Sequence, residues 1–252
     1  MTNEDDPLRL RPLTARSVIL STLLGTHPPR LRAGHLVRVG GLFGISEGTV
    51  RVALSRMVAA GDLGQPEGFY ELGERLRLRQ ARQDESRSPS TRLWDGTWEV
   101  AIVTAERRPA AERAAFREAV TALRLAEVRE GVWMRPDNLT GERPPVVAGR
   151  CTFLRAVPEE DPASLAGSLW DLPGWAGRAR ALRNAFDAAA TVADRFTLAA
   201  AALRHLLADP LLPAELLPGD WPGDDLRHRY DLFEAEFEGI VRDHLEITPA
   251  GG

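Results

Sequence analysis

Apolar residues in the first third of the chain recur at helical spacing and are punctuated by turn residues. Val18, Ile19, Leu20, Leu23 and Leu24 predict a helix over Leu13–Leu24, with Thr14 able to cap its start and Gly25 suited to its end. His27-Pro28-Pro29 then breaks the chain, and a short helix follows over about Ala33–Leu42. Phe43-Gly44-Ile45-Ser46 reads as a tight turn that buries Phe43 or Ile45. Ser46 is a good N-cap and Glu47 is favourable in a first turn, so a third helix runs to about Ala60. Val50, Leu54, Met57 and Val58 share one face of it, and Gly61 stops it. Leu63–Leu72 predicts two short strands turning at Pro66-Glu67-Gly68. Helix, helix, turn, helix, hairpin is the order of a winged helix-turn-helix.

Residues Glu74–Arg92 read as the end of a helix followed by a linker near Ser86–Ser90. Strands are expected at Trp98–Val103, Ala126–Arg129, Val132–Arg135 and Cys151–Ala156, with Glu130-Gly131 as a hairpin turn. A helix over Ala110–Leu123 separates the first two, with Ala115, Val120 and Leu123 inward. That order suggests a ferredoxin-like sandwich, although no second crossover helix is evident before Cys151. From about Ala163 the chain is helical, over Trp175–Ala190, Val192–Ala208 and Asp224–Leu245. In the last helix Leu226, Tyr230, Phe233, Phe237 and Ile240 form one stripe. Prolines 210, 213, 218 and 222 make the segment before it an irregular connector. The reading is an α+β multidomain protein: a winged helix-turn-helix over 1–86, a ferredoxin-like domain over 87–160, and an α-helical domain over 161–252.

Charge is divided unevenly, and this matters more than the net value of −4. Residues 8–60 hold eight Arg and one acid, whereas residues 207–246 hold eleven acids and three Arg. A basic N-terminal part and an acidic C-terminal part suggest separate tasks. Every basic residue is Arg, with no Lys, so a single Arg carries little weight. The one cysteine excludes an intrachain disulfide framework, and Cys151 reads as a small buried hydrophobe on its strand. No apolar run approaches the ~20 residues of a membrane span, and a polar, acidic start does not resemble a secretory signal, so a cytoplasmic protein is expected.

The third helix carries the main functional signal. With Val50, Leu54, Met57 and Val58 inward, Thr49, Arg51, Ser55 and Arg56 lie on other faces. Arg can bond guanine bidentately, and Thr and Ser reach phosphates or base edges. Arg16 and Arg38 are candidate phosphate contacts. Gly44-Ile45-Ser46-Glu47-Gly48 also matches the G-x-S-x-G elbow of serine hydrolases, which needs a strand before the serine and a helix after it. Asp194 with His205, or Asp225 with His228, would have to complete such a triad from predicted helices. The histidines lack the partners of a metal site, His205 and His244 reading as polar-face or interface residues. The six tryptophans read as core or joint residues. Neither a Walker loop nor a dinucleotide fingerprint is present, so no cofactor is expected.

Four segments resemble the PaaX family, repressors of phenylacetic acid degradation. They are Thr14–Gly25; Phe43–Leu63 with Gly68-Phe69-Tyr70-Glu71-Leu72; Trp94–Val103 with Gly131–Leu139; and the Pro-Leu-rich Asp209–Gly223, the most specific of them. The resemblance implies a GntR-like winged helix, a Cas2-like middle domain and a helical C-terminal domain. It implies a dimeric repressor that binds double-stranded operator DNA and is released by phenylacetyl-CoA or another acyl-CoA. By motif match, DNA reading falls on Thr49, Arg51, Ser55 and Arg56, with Ser46 at the helix start. A thioester bearing phosphates needs cations and an apolar slot. Trp133 with Arg135, or Arg178 with Arg180, could supply them. Cas2-like nucleases use an acid at the end of the first strand; here the nearest acid is Glu106, which departs from that pattern.

Overall fold

The structure, a computed structural model, describes residue 8, residues 10–104 and residues 109–247. In chain order the elements are α1 (Ala15–Leu24), β1 (Arg30–Arg32), α2 (Ala33–Leu42), α3 (Glu47–Ala59), β2 (Leu63–Gly64), β3 (Phe69–Leu72) and α4 (Glu74–Arg87). There follow β4 (Trp98–Val103), α5 (Ala110–Ala122), β5 (Ala126–Arg129), β6 (Val132–Pro136), α6 (Pro145–Ala148) and β7 (Cys151–Ala156). The last helices are α7 (Pro162–Leu169), α8 (Leu172–Ala188), α9 (Val192–Leu206) and α10 (Gly223–Ile247). They pack into two compact units. One holds the chain up to residue 84, residues 178–207 and the chain from residue 223; the other holds residues 85–177 and 208–222.

In the first unit, α1, α2 and α3 close around Ile19, Leu23, Leu36, Val50, Leu54 and Met57, with Leu63, Leu72 and Leu76 sealing the base. Local chemistry sets the helix ends. Thr14 and Ser17 form a reciprocal capping box on α1. Gly44, at φ +68°, makes the turn between α2 and α3 with no Cβ penalty. One helical turn earlier, a Cβ at Gly40 would lie 2.6 Å from Val50 Cγ2, so only glycine lets α2 approach α3 this closely. The amide of Gln80 on α4 donates to the carbonyls of Leu24 (2.8 Å) and Thr26 (3.0 Å), satisfying the end of α1. The turn residue Phe43 packs at a tilt against Phe196 of α9 (centroids 4.8 Å apart) and reaches Phe237 of α10 (6.2 Å). The stripe expected along α10 is the inward one, with Leu226, Tyr230 and Phe233 buried.

The hairpin gains a strand not foreseen in the sequence: β1 pairs antiparallel with β3, giving the order β1-β3-β2. The helix expected to end before Ser86 continues to Arg87, and Ser86 is fully buried. His205, read as a polar-face or interface residue, is buried within α9.

In the second unit a fully antiparallel sheet runs β5-β6-β4-β7. Side chains alternate across it. Ala101 and Trp133 face one side with Val120 of α5 and Val147 of α6, while Trp98 faces the other with Ala166 of α7, Leu172, Leu212 and Leu216. The missing crossover helix is therefore α6, a single turn too short to show helical periodicity. On α5 the inward residues are Phe116, Ala119 and Val120, and Ala115 is exposed. Cys151 is half-buried rather than buried, and that burial raises its thiol pKa. Glu106 lies outside the described residues.

The Pro-Leu connector is fastened to the sheet by three polar residues. The Asp209 carboxylate accepts from the Leu211 amide (2.9 Å), turning the chain where Leu211 has φ +53°. The Leu211 carbonyl accepts from Asn138 Nδ2 (3.0 Å) and Arg135 Nη2 (3.4 Å). Trp221 stacks on Trp175 at 4.5 Å between centroids.

Candidate nucleic-acid interface

Burial sorts α3 cleanly into two faces. Val50, Leu54 and Met57 are 0–2% exposed, whereas Thr49, Arg51, Ser55 and Arg56 are all exposed. Ser46 caps the helix: its Oγ accepts from the Thr49 amide (3.3 Å) and is 2.8 Å from Thr49 Oγ1. The preceding segment is helix α2, not the strand that a hydrolase elbow requires. Asp194, one of the carboxylates that could have completed a triad, is bound to Thr191 at the start of α9 (2.6 Å). Among the described residues no group of three or more potential ligands is placed to hold a metal ion.

Arg51 is paired with Glu47 one turn earlier at 2.7 Å, both side chains being more than half exposed. Such a pair is worth roughly 0.3–0.5 kcal/mol. A bidentate guanine contact discriminates by about 1–3 kcal/mol. The guanidinium can therefore leave Glu47 for a base edge at little cost.

Arg16 is held differently. Its Nη2 bonds the buried Asp62 carboxylate at 2.6 Å, and Arg75 takes the other oxygen at 2.6 Å. The Arg16 hydrogen bond, opposed by burial, holds the Asp62 carboxyl below its usual range, with Arg75 adding to the effect. This clamp joins α1, the end of α3 and the start of α4 while leaving Arg16 more than half exposed. Arg38 is half-buried on α2, and its Nε has no hydrogen-bond partner among the described residues. Beside it, burial and then the charges of Arg38 and Arg32 depress the pKa of His35.

Two cations escaped the sequence reading. Arg30 and Arg32 sit on β1, exposed, with their guanidinium groups over the Phe69 ring at 5.2 and 4.7 Å from its centroid. The wing thus presents two arginines braced by one aromatic ring. The signal was the alternation Arg30-Leu31-Arg32 just after the prolines, short enough to pass for a break in the chain.

The two alternative pairs for an effector site fall in different units. Trp133 and Arg135 belong to the second unit, Arg178 and Arg180 to the first. Trp133 is buried in the sheet beneath Arg117, 5.6 Å from its centroid. Arg135 is 2% exposed and donates to Pro136 O, Leu123 O, Asn138 Oδ1 and Leu211 O. Burial pushes its pKa down to about 9. Its donors are spent on the fold. Arg178 donates to the Leu8 carbonyl (2.5 Å), and Arg180 is half-buried on α8.

The first unit therefore defines a winged helix-turn-helix protein with its third helix and wing turned outward. Residues 14–76 match the PaaX-like protein family, residues 91–149 the PaaX protein central Cas2-like domain, and residues 175–247 the PaaX-like protein C-terminal domain. The chain belongs to the PaaX-like family. It is also similar to the solved structure of an uncharacterized protein from Mycobacterium tuberculosis, at 49% identity and a TM-score of 0.79 over 93% of this chain and 100% of that one. A comparison with curated proteins finds no match. Family membership points to a transcription regulator rather than an enzyme. Among the described residues no helix is long and apolar enough to cross a membrane.

Proposed function

We propose that the chain is a ligand-responsive, DNA-binding transcriptional repressor of the PaaX type. It acts as a homodimer whose two α3 helices enter successive major grooves of an inverted-repeat operator. The half-sites are spaced by about one helical turn or a multiple of it. Thr49, Arg51, Ser55 and Arg56 read the groove, Ser46 orders the helix start, and Arg16 and Arg38 meet phosphates. The wing arginines Arg30 and Arg32 add phosphate contacts beside the groove. The observation that carries this reading is the division of α3 into a buried apolar face and an exposed Thr-Arg-Ser-Arg face. An acyl-CoA, phenylacetyl-CoA foremost, acts as effector by preferring the state in which the two helices are misplaced. Its differential affinity for the two states sets how far DNA binding falls.

The test is binding of the purified chain to its own promoter DNA at two salt concentrations, with and without phenylacetyl-CoA. The expected result is specific binding whose log K falls by roughly 0.9 per neutralised phosphate against log salt, relieved by the thioester. Arg56→Ala should weaken operator binding about 5- to 150-fold, the range of one bidentate base contact, without lowering the melting temperature. Wild-type binding by both Arg51→Ala and Arg56→Ala would remove these residues from the interface. Specific binding indifferent to phenylacetyl-CoA would keep the regulator and discard that effector.

A further inference from the structure

The first unit holds a half-open cavity of about 660 Å³, a volume typical of small-molecule sites. Leu20 and Leu24 of α1, Phe196 of α9, and Phe237 and Val241 of α10 form its apolar wall. Arg11, Arg79 and Arg204 line it as well, each from a different segment of the chain. Arg79 is half-buried, and neither it nor Arg11 makes a hydrogen bond or ion pair among the described residues. Glu234 and Glu238 are on the same wall and bond neither of them.

Positive charges crowd two of these arginines. Burial depresses Arg79, and the positive charges of Arg11, Arg75 and Arg16 depress it further. Arg204 is depressed by burial and then by Arg11, Arg79 and Arg178. Like charges brought together in a partly dry site raise the energy of the folded chain unless an anion joins them. A guanidinium is also the side chain best shaped to hold a carboxylate or phosphate in a bidentate grip.

We propose that this cavity binds an amphipathic anion, its carboxylate or phosphate head held by Arg79 and Arg11, with Arg204 beside them, and its apolar body seated against Phe196, Phe237 and Leu20. The regulator reading supplies the role of effector site, in place of the Trp133–Arg135 or Arg178–Arg180 pair; occupancy itself does not depend on that reading. The same walls include Val39 of α2 and the turn after α1, so an occupant touches the helix-turn-helix from within its own unit.

Isothermal titration calorimetry of the full chain, without DNA, tests it with octanoate, phenylacetate, coenzyme A, inorganic phosphate and the neutral octanamide. At least one amphipathic anion should bind saturably, and octanamide at least tenfold more weakly than octanoate if the carboxylate is the head. Affinity carried by octanoate or phenylacetate assigns the head to a carboxylate; affinity carried by coenzyme A assigns it to phosphate. Arg79→Gln should lose at least tenfold in affinity while its melting temperature stays level or rises, because a repelled charge has been removed. A merely structural arginine would lower the melting temperature instead. Arg11→Gln, at an exposed position, repeats the affinity test on a side chain whose loss cannot unfold the chain. No saturable binding by any probe, or unchanged affinity in both variants, overturns the proposal. Because no DNA is present, anion binding by a chain that ignores its operator would refute the regulator and keep the cavity. Operator binding by a chain that takes none of these anions would refute the cavity and keep the regulator.

Discussion

Arg135 and Arg79 are the same side chain under opposite terms. Arg135, in the second unit, is almost wholly buried, and its guanidinium is surrounded by three main-chain carbonyls and an amide oxygen. Arg79, in the first unit, is half-buried, lines a cavity, and has other arginines as its electrostatic neighbours. Burying a charge is costly unless its hydrogen bonds are restored. At Arg135 the fold restores them, and in doing so it ties Leu123, Asn138 and Leu211 together across the chain. At Arg79 the fold leaves the cost standing. Stability and ligand recognition are thus assigned to different arginines, and burial alone does not tell which is which. The partners do.

The largest expected effect follows from removing the satisfied charge. Arg135→Ala should destabilise the chain by about 3–5 kcal/mol, since it strands Asn138 and buried carbonyls at once. Urea unfolding measures this, and a loss below about 1 kcal/mol would mean that satisfied donors do not distinguish the two sites. Asp62→Asn comes next, at about 1–3 kcal/mol, because it leaves the clamp of Arg16 and Arg75 without its carboxylate. The folded state holds Asp62 below its usual pKa. Its contribution is therefore complete above the unfolded value of about 4 and is lost as pH falls through the lower folded one. The Asn variant should show a correspondingly flatter acid limb in thermal melts. Ser46→Ala should cost about 0.5–2 kcal/mol through the lost cap on α3. The smallest effect belongs to the unsatisfied charge: Arg79→Gln should move stability by under about 0.5 kcal/mol, and upward. A large loss there would show that Arg79 holds the fold, and the contrast with Arg135 would collapse.

Much of the first unit was legible because its signals are short-range. The Thr14 cap, the Ser46 cap, the turn at Gly44 and the stop at Gly61 each act within a few residues. The apolar stripes of α3 and α10 repeat the helical period many times, so a single exception could not hide them. Where the signal was one turn long or chemically neutral, the reading missed. Three residues made β1, one turn made α6, and an alanine-rich helix put Ala115 outward because alanine suits either face.

The candidate site divided along the same line. Which residues of α3 face outward follows from periodicity, and the structure agrees for Thr49, Arg51, Ser55 and Arg56. The role of Arg135 does not follow from anything near it: among its acceptors, the Leu211 carbonyl is 76 residues away along the chain. The cavity is more distant still from any local pattern, since Arg11, Arg79 and Arg204 come from three separate stretches. Periodicity and capping depend on neighbours a turn apart, and a chain states those in its own order. Satisfaction of a buried charge depends on whatever the fold carries to it, and that is settled when distant segments meet.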